Sequence, residues 1–163
     1  MKLAPFIFPM PLITISGDPL LSQMQTLGFG FNARAGMEVG ALETRLIDRY
    51  PAAFSAYRKL CHSGRIKPGA IWIWRESRPY LAFLVIRESA QGSTRLRFLE
   101  AAMMALARDY RLYGLESLAL TPLGSREEWP LLKPVVEYWL SACPLPVTLY
   151  EQYMPGVAGE DSR

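Results

Sequence analysis

Three short stretches of this 163-residue chain combine glycine with polar side chains in a way that suits an anionic or hydroxyl-rich ligand. The first is Gly17-Asp18, which follows the β-branched run LITIS at 12–16 and precedes Pro19. A carboxylate there can accept from a ligand amino group, and it can equally cap a turn. The second is NARAGMEVG, from Asn32 through Gly36, Met37, Glu38 and Val39 to Gly40. Its glycines allow successive backbone N–H groups to face an anion at the start of a helix. The third is PLGSREEW at 122–129, in which Gly124, Ser125 and Arg126 stand just ahead of another helix. A guanidinium at that place is suited to a phosphate. Glu38 is the one acid of the second stretch. It reads either as a surface residue favoured at a helix N-terminus or as a general base.

Other residue types point away from alternative chemistries. Cys61 and Cys143 are too few for a disulfide framework and have no metal-ligand spacing, which fits a reducing, cytoplasmic setting and implies no metal or cofactor. His62, the single histidine, adjoins Cys61 near a helix end and reads as a surface or capping residue. Eighteen Lys and Arg against 15 Asp and Glu give a net charge of +3, compatible with an anionic ligand but without the dense stripe of a DNA-binding face. Arg45, Arg49, Arg58, Lys59, Arg65 and Lys67 read as a solvated basic face. The opening run MKLAPFIFPMPLITI is broken by prolines 5, 9 and 11, so it reads as an extended lead into a sheet rather than a membrane span or a leader.

The elements that must position the three stretches alternate between strand and helix patterns. LITIS, LGFGFN at 27–32, AIWIW at 70–74, YLAFLVI at 80–86, SLALTPL at 117–123 and VTLYE at 147–151 read as strands. In the second of these, glycine alternates with large apolar residues, the mark of a backbone approached closely by its neighbours. Apolar positions at helical spacing predict a helix over 39–49 and another from Pro51 to Gly64. A third, capped by Ser93 or Thr94, carries the stripe Leu96, Leu99, Met103, Leu106, Tyr110 and Tyr113, and a fourth runs from Pro130 to about Ala142. Trp72 and Trp74 share one strand face and read as core. Strands of this kind imply an α/β class with helices on both faces of one sheet, and ligands in such sheets bind at the carboxyl ends of strands.

Taken together, the order of these stretches resembles a macro domain, in particular the branch of DNA-ADP-ribose hydrolase antitoxins. The resemblance rests on Gly17-Asp18, Asn32, GMEVG at 36–40, RYP at 49–51, KPG at 67–69, YGLESLALTPLG and KPVVEYWL, and it spans roughly residues 12–151. It implies a three-layer α/β/α fold around a mixed sheet, with residues 1–154 as the domain, while the polar, glycine-containing composition of 155–163 reads as a disordered tail. It further implies a module for ADP-ribose or a related NAD-derived adenine nucleotide. Asp18 would contact the adenine, and Asn32 the distal ribose. Gly36, Met37, Glu38, Val39 and Gly40 would wrap the diphosphate and distal ribose, and Gly124, Ser125 and Arg126 would form the second phosphate loop. Val39 falls where the resemblance places a catalytic lysine, Glu38 would set a negative charge beside the diphosphate, and the second loop is short of glycines. Two further readings follow: an ADP-ribosyl hydrolase acting on modified nucleic acid or protein, and a degenerate domain serving protein interaction or defence. No membrane partner is implied.

Overall fold

The structure is a computed structural model that describes residues 12–159. Residues 1–11 of the expected extended lead and the last four residues of the expected tail lie outside them. Six strands form one mixed sheet in the order β1-β6-β5-β2-β4-β3. They are β1 (Ile13–Gly17), β2 (Thr26–Asn32), β3 (Ile71–Trp74), β4 (Tyr80–Arg87), β5 (Leu118–Leu120) and β6 (Val147–Tyr153). Only β3 runs antiparallel to its neighbour, so β1, β6, β5, β2 and β4 all point their carboxyl ends to one edge.

Side-chain alternation along the central strands decides which helices lie on which face. Leu81, Phe83 and Val85 of β4 face one way, with Leu27, Phe29 and Phe31 of β2, and are covered by α1 (Ala41–Arg49) and α2 (Pro51–His62). Ala82, Leu84 and Ile86 face the other way and are covered by α3 (Leu96–Asp109) and α4 (Trp129–Ser141). This is the expected three-layer arrangement, with a separate apolar core on each side of the sheet. The glycines of β2 leave room for side chains of adjoining strands. A Cβ on Gly28 would lie 3.0 Å from Leu118 Cδ1, and one on Gly30 2.6 Å from Ile86 Cδ1. Opposite them, Phe29, Phe31, Phe54, Tyr57 and Phe83 interlock by edge and stacked contacts, Tyr57 and Phe83 with centroids 4.4 Å apart. Trp72 and Trp74 join this cluster as expected.

Three expectations are corrected. The strand expected over 117–123 is confined to Leu118–Leu120; beyond it Thr121, Pro122, Gly124 and Ser125 line a cavity while Leu123 enters the core. Neither Ser93 nor Thr94 caps α3; its N-cap is Arg95, and Thr94 bonds to Glu128 instead. Residues 155–159 pack against β1 and Asp18 despite their polar, glycine-containing composition. Pro130 occupies the first turn of α4 as expected, and Pro134 lies inside the helix.

Candidate functional site

A register shift sets up the site. Phe31 pairs with Val85, but Asn32 pairs with Arg87, so a bulge at Ile86 of β4, opposite the end of β2, brings Asn32 and Arg87 level at the carboxyl edge. Asn32, fully buried, then folds the loop after it. Its Oδ1 accepts from the backbone N–H of Arg34 (3.2 Å) and Gly36 (3.0 Å), while its Nδ2 donates to the Gly36 carbonyl (2.9 Å) and to Glu38 Oε1 (3.4 Å). The Tyr57 hydroxyl donates to the Asn32 carbonyl at 2.8 Å and anchors the loop to α2. Ala35 takes a left-handed conformation, φ 59°, to complete the turn.

That loop delivers Glu38 to Arg87. Glu38 is buried, its side chain 6% exposed, and Arg87 Nη2 stands 2.8 Å from its Oε1. Both of its contacts fall on Oε1, so Oε2 is the oxygen left to the cavity that Glu38 lines. Burial raises the Glu38 pKa; the Arg87 charge and the Asn32 hydrogen bond oppose this, and Glu43 adds to it. Arg87 Nε is the one fully buried side-chain nitrogen or oxygen among the described residues that lacks a hydrogen-bond partner. Arg87 was not picked out by sequence, although a cation closing the apolar run YLAFLVIR at the carboxyl end of a strand was the available signal.

Glu38 and Arg87 lie on the wall of a cavity of about 180 Å³ at the carboxyl ends of β2, β4 and β5. Phe29, Phe31 and Phe54 supply an apolar side, Leu42, Glu43 and Leu46 of α1 a second, and Thr121, Gly124 and Ser125 a third. Of the sequence-predicted residues, Glu38, Val39, Gly124 and Ser125 therefore meet here, with Asn32 and Gly36 immediately behind them. Val39 stands at the rim, 99% exposed as a residue, and Met37 is also exposed. Gly40 is the N-cap of α1, and the Glu43 carboxylate folds so close over it that an added Cβ would lie 1.9 Å from Oε2. Arg126 is exposed and is not among the lining residues.

The two remaining contact points are filled from within the chain. Ser125 N–H donates to Glu128 Oε1 at 2.8 Å and Glu128 N–H to Ser125 Oγ at 3.1 Å, a reciprocal capping box ahead of α4. Thr94 adds its backbone N–H (2.8 Å) and hydroxyl (3.0 Å) to the same carboxylate. Burial opposes ionisation of Glu128, but these donors together hold its pKa below the ordinary value. Asp18, fully buried, lies outside the cavity lining. Its Oδ1 accepts from Leu20 N–H at 2.9 Å, while its Oδ2 accepts from Arg45 Nη1 at 2.6 Å and Gly156 N–H at 2.8 Å. Burial again opposes ionisation, and Arg45 with the two backbone donors outweighs it, so the pKa is lowered. Arg45, expected on a solvated face, is instead the bridge from α1 to Asp18 and to the Tyr153 hydroxyl (2.6 Å).

Solved structures share this architecture closely. The macrodomain of Thermus aquaticus DarG superposes with a TM-score of 0.77 at 22% identity, over 86% of this chain and 97% of that one. The chain has the macrodomain fold. Thermosipho africanus DarTG in complex with ADP-ribose gives 0.79 at 22% identity, over 96% of this chain and 43% of the larger protein. The macrodomain of Mycobacterium tuberculosis DarG gives 0.71 at 20%, over 90% and 99%. No family model matches the sequence, and no curated protein matches it significantly. Among the residues that line the cavity, Arg87 is the cation, and Glu38 and Glu43 are the carboxylates. Among the described residues, no helix is long and apolar enough to cross a membrane.

Proposed function

We propose that this macrodomain fold binds ADP-ribose or a related NAD-derived adenine nucleotide through the cavity at the ends of β2, β4 and β5. The observation that carries the reading is the Glu38–Arg87 pair on the cavity wall. An ionised carboxylate with one oxygen held and the other open accepts from sugar hydroxyls, and a guanidinium donates to hydroxyl or phosphate oxygens. Because the pair is neutral as a unit, the charge of Glu38 is cancelled locally, which reduces its repulsion of a diphosphate. Phe29, Phe31 and Phe54 offer an apolar wall to a ribose ring. The fold likeness to a DarTG structure holding ADP-ribose supports the same ligand class. Calorimetric titration with ADP-ribose, ADP and NAD tests it: a saturable signal is expected for ADP-ribose and is lost in Arg87→Ala. Absence of heat with every nucleotide in folded protein overturns the reading.

A second reading, hydrolysis of an ADP-ribosyl bond on nucleic acid or protein, is favoured by one feature. Glu38 is a carboxylate with raised pKa and an open oxygen in the cavity, the setting of a general base. Lysine-dependent hydrolysis has no support at Val39, whose side chain stands in solvent. Release of ADP-ribose from modified DNA or from Glu- or Asp-linked protein, abolished by Glu38→Gln and indifferent to Val39→Lys, would establish this reading. Free Cys61 and Cys143 fit a cytoplasmic site of action.

A further inference from the structure

The carboxyl edge of the sheet is divided. Its β2, β4 and β5 part opens into the cavity, whereas its β1 and β6 part is covered by residues 154–159, which turn back after β6. Met154 N–H donates to the Gly17 carbonyl at 2.9 Å, Asp18 N–H to the Val157 carbonyl at 2.7 Å, and Gly156 N–H to Asp18 Oδ2 at 2.8 Å. The packing leaves no slack. A Cβ on Gly17 would lie 3.0 Å from both Gly159 N and Val157 O, and one on Gly159 would lie 2.5 Å from Ile15 Cδ1. Gly156 itself has φ 75°, a conformation that favours glycine. Arg45 joins the covered part to the open one, because it sits on α1 between Leu42, Glu43 and Leu46 of the cavity wall and reaches Asp18 and Tyr153.

From this we infer that residues 154–159 are a strap that sets the length of ligand the site accepts. The inference rests on the nucleotide reading above and goes beyond it. The open cavity measures about 180 Å³, whereas sites for drug-sized ligands span about 300–1,000 Å³. The cavity falls below that range, so it suits a fragment such as ribose 5-phosphate better than a whole dinucleotide-sized ligand. A ligand with two riboses, two phosphates and a base must extend along the carboxyl edge, and the next ground along it, at β6 and β1, is covered. Every polar atom that Asp18 presents there is already engaged, by Leu20, Arg45, Gly156 and Val157. A long ligand therefore binds the strap-released population, and its apparent affinity is reduced by the fraction of molecules in that state.

The test uses the full chain with two probes, ADP-ribose and ribose 5-phosphate, and two variants that free the strap differently. Gly156→Pro removes the N–H from which Asp18 accepts and forbids the positive φ; Gly159→Leu presses on the buried Tyr150 ring, whose Cε2 lies 3.1 Å from where its Cβ would be. In both, ADP-ribose affinity by calorimetry is expected to rise by about tenfold or more, the gain from removing a closed state populated nine times in ten. Ribose 5-phosphate affinity is expected to stay the same. On the wild type, amide hydrogen exchange at Met154 and Gly156 is expected to quicken when ADP-ribose is added and not when ribose 5-phosphate is added, a measurement that decides the matter if the variants fail to fold. Unchanged or weaker ADP-ribose binding in folded variants, or slower exchange of the strap on binding, overturns the strap while leaving the nucleotide reading intact. If neither probe binds any form, the nucleotide reading falls and the strap's role with it.

Discussion

Glu38 and Arg87 show how the meaning of one residue depends on its partner. Read in isolation, Glu38 adds charge beside a diphosphate; held 2.8 Å from Arg87, it forms half of a buried ion pair. Removing one member leaves the other charge uncompensated. Glu38→Gly is expected to destabilise the fold by about 3–5 kcal/mol, the usual cost of breaking such a pair from one side, measurable as a drop in urea midpoint. Glu38→Gln keeps the shape and one acceptor, and is expected to weaken ADP-ribose by about tenfold, or 1.4 kcal/mol. A gain in affinity would show that repulsion of the diphosphate outweighs recognition of hydroxyls. Asp18 presents the other residue-scale test. As the acceptor for Leu20, Arg45 and Gly156, it is expected to cost about 1.5–3 kcal/mol of stability on change to Ala. Intact stability with lost nucleotide binding would instead mark Asp18 as a ligand contact.

Among the elements, the start of α4 is the clearest case of an anion site that the chain fills itself. The N–H groups that a phosphate would need at Ser125 and Thr94 are taken by Glu128. Glu128→Ala is expected to lower the melting temperature, with a loss of about 1–2 kcal/mol as for other lost helix caps. It should also expose those N–H groups, so that inorganic phosphate restores part of the melting temperature in the variant and not in the wild type. No such rescue would mean the loop collapses when the carboxylate is removed. At the opposite end of the cavity, the β2 to β4 register shift is the element-scale device that sets Asn32 beside Arg87. A strand pair in unbroken register would have placed Ile86 there.

Over the whole molecule, acid stability follows from the carboxylates that hold elements together. Asp18 and Glu128 have pKa values lowered in the folded chain, as does Glu151, through its hydrogen bond from Lys133 and against a smaller effect of burial. A depressed folded pKa contributes stability that is complete above the unfolded value and is lost as pH falls through the folded one. Stability should therefore decline as pH drops from about 5, through the ordinary carboxylate range near 4, and on below it. Glu38 acts with the opposite sign: its raised pKa makes its ionisation oppose folding as pH rises through its titration. Urea midpoints from pH 7 to 2.5 check this, and Asp18→Ala should flatten the acid limb.

Local periodicity and turn residues at fixed places were enough for the alternation of strands and helices and for the α/β class, and the order of the quoted motifs carried the macro-domain resemblance. Sequence also marked the loops at Asn32–Gly40 and Gly124–Ser125, two of the walls that meet at the cavity. Partnerships between distant positions were decided only in the tertiary structure: Arg87 with Glu38, Glu128 with Thr94, Arg45 and Gly156 with Asp18. A glutamate looks the same in sequence whether it faces water or a guanidinium. Likewise the polar composition of residues 155–159 reads as a free tail, yet two glycines without side chains let it lie against β1. Whether a backbone N–H or a carboxylate is open to a ligand depends on what else in the fold can reach it, and that is a property of three-dimensional proximity that no local pattern carries.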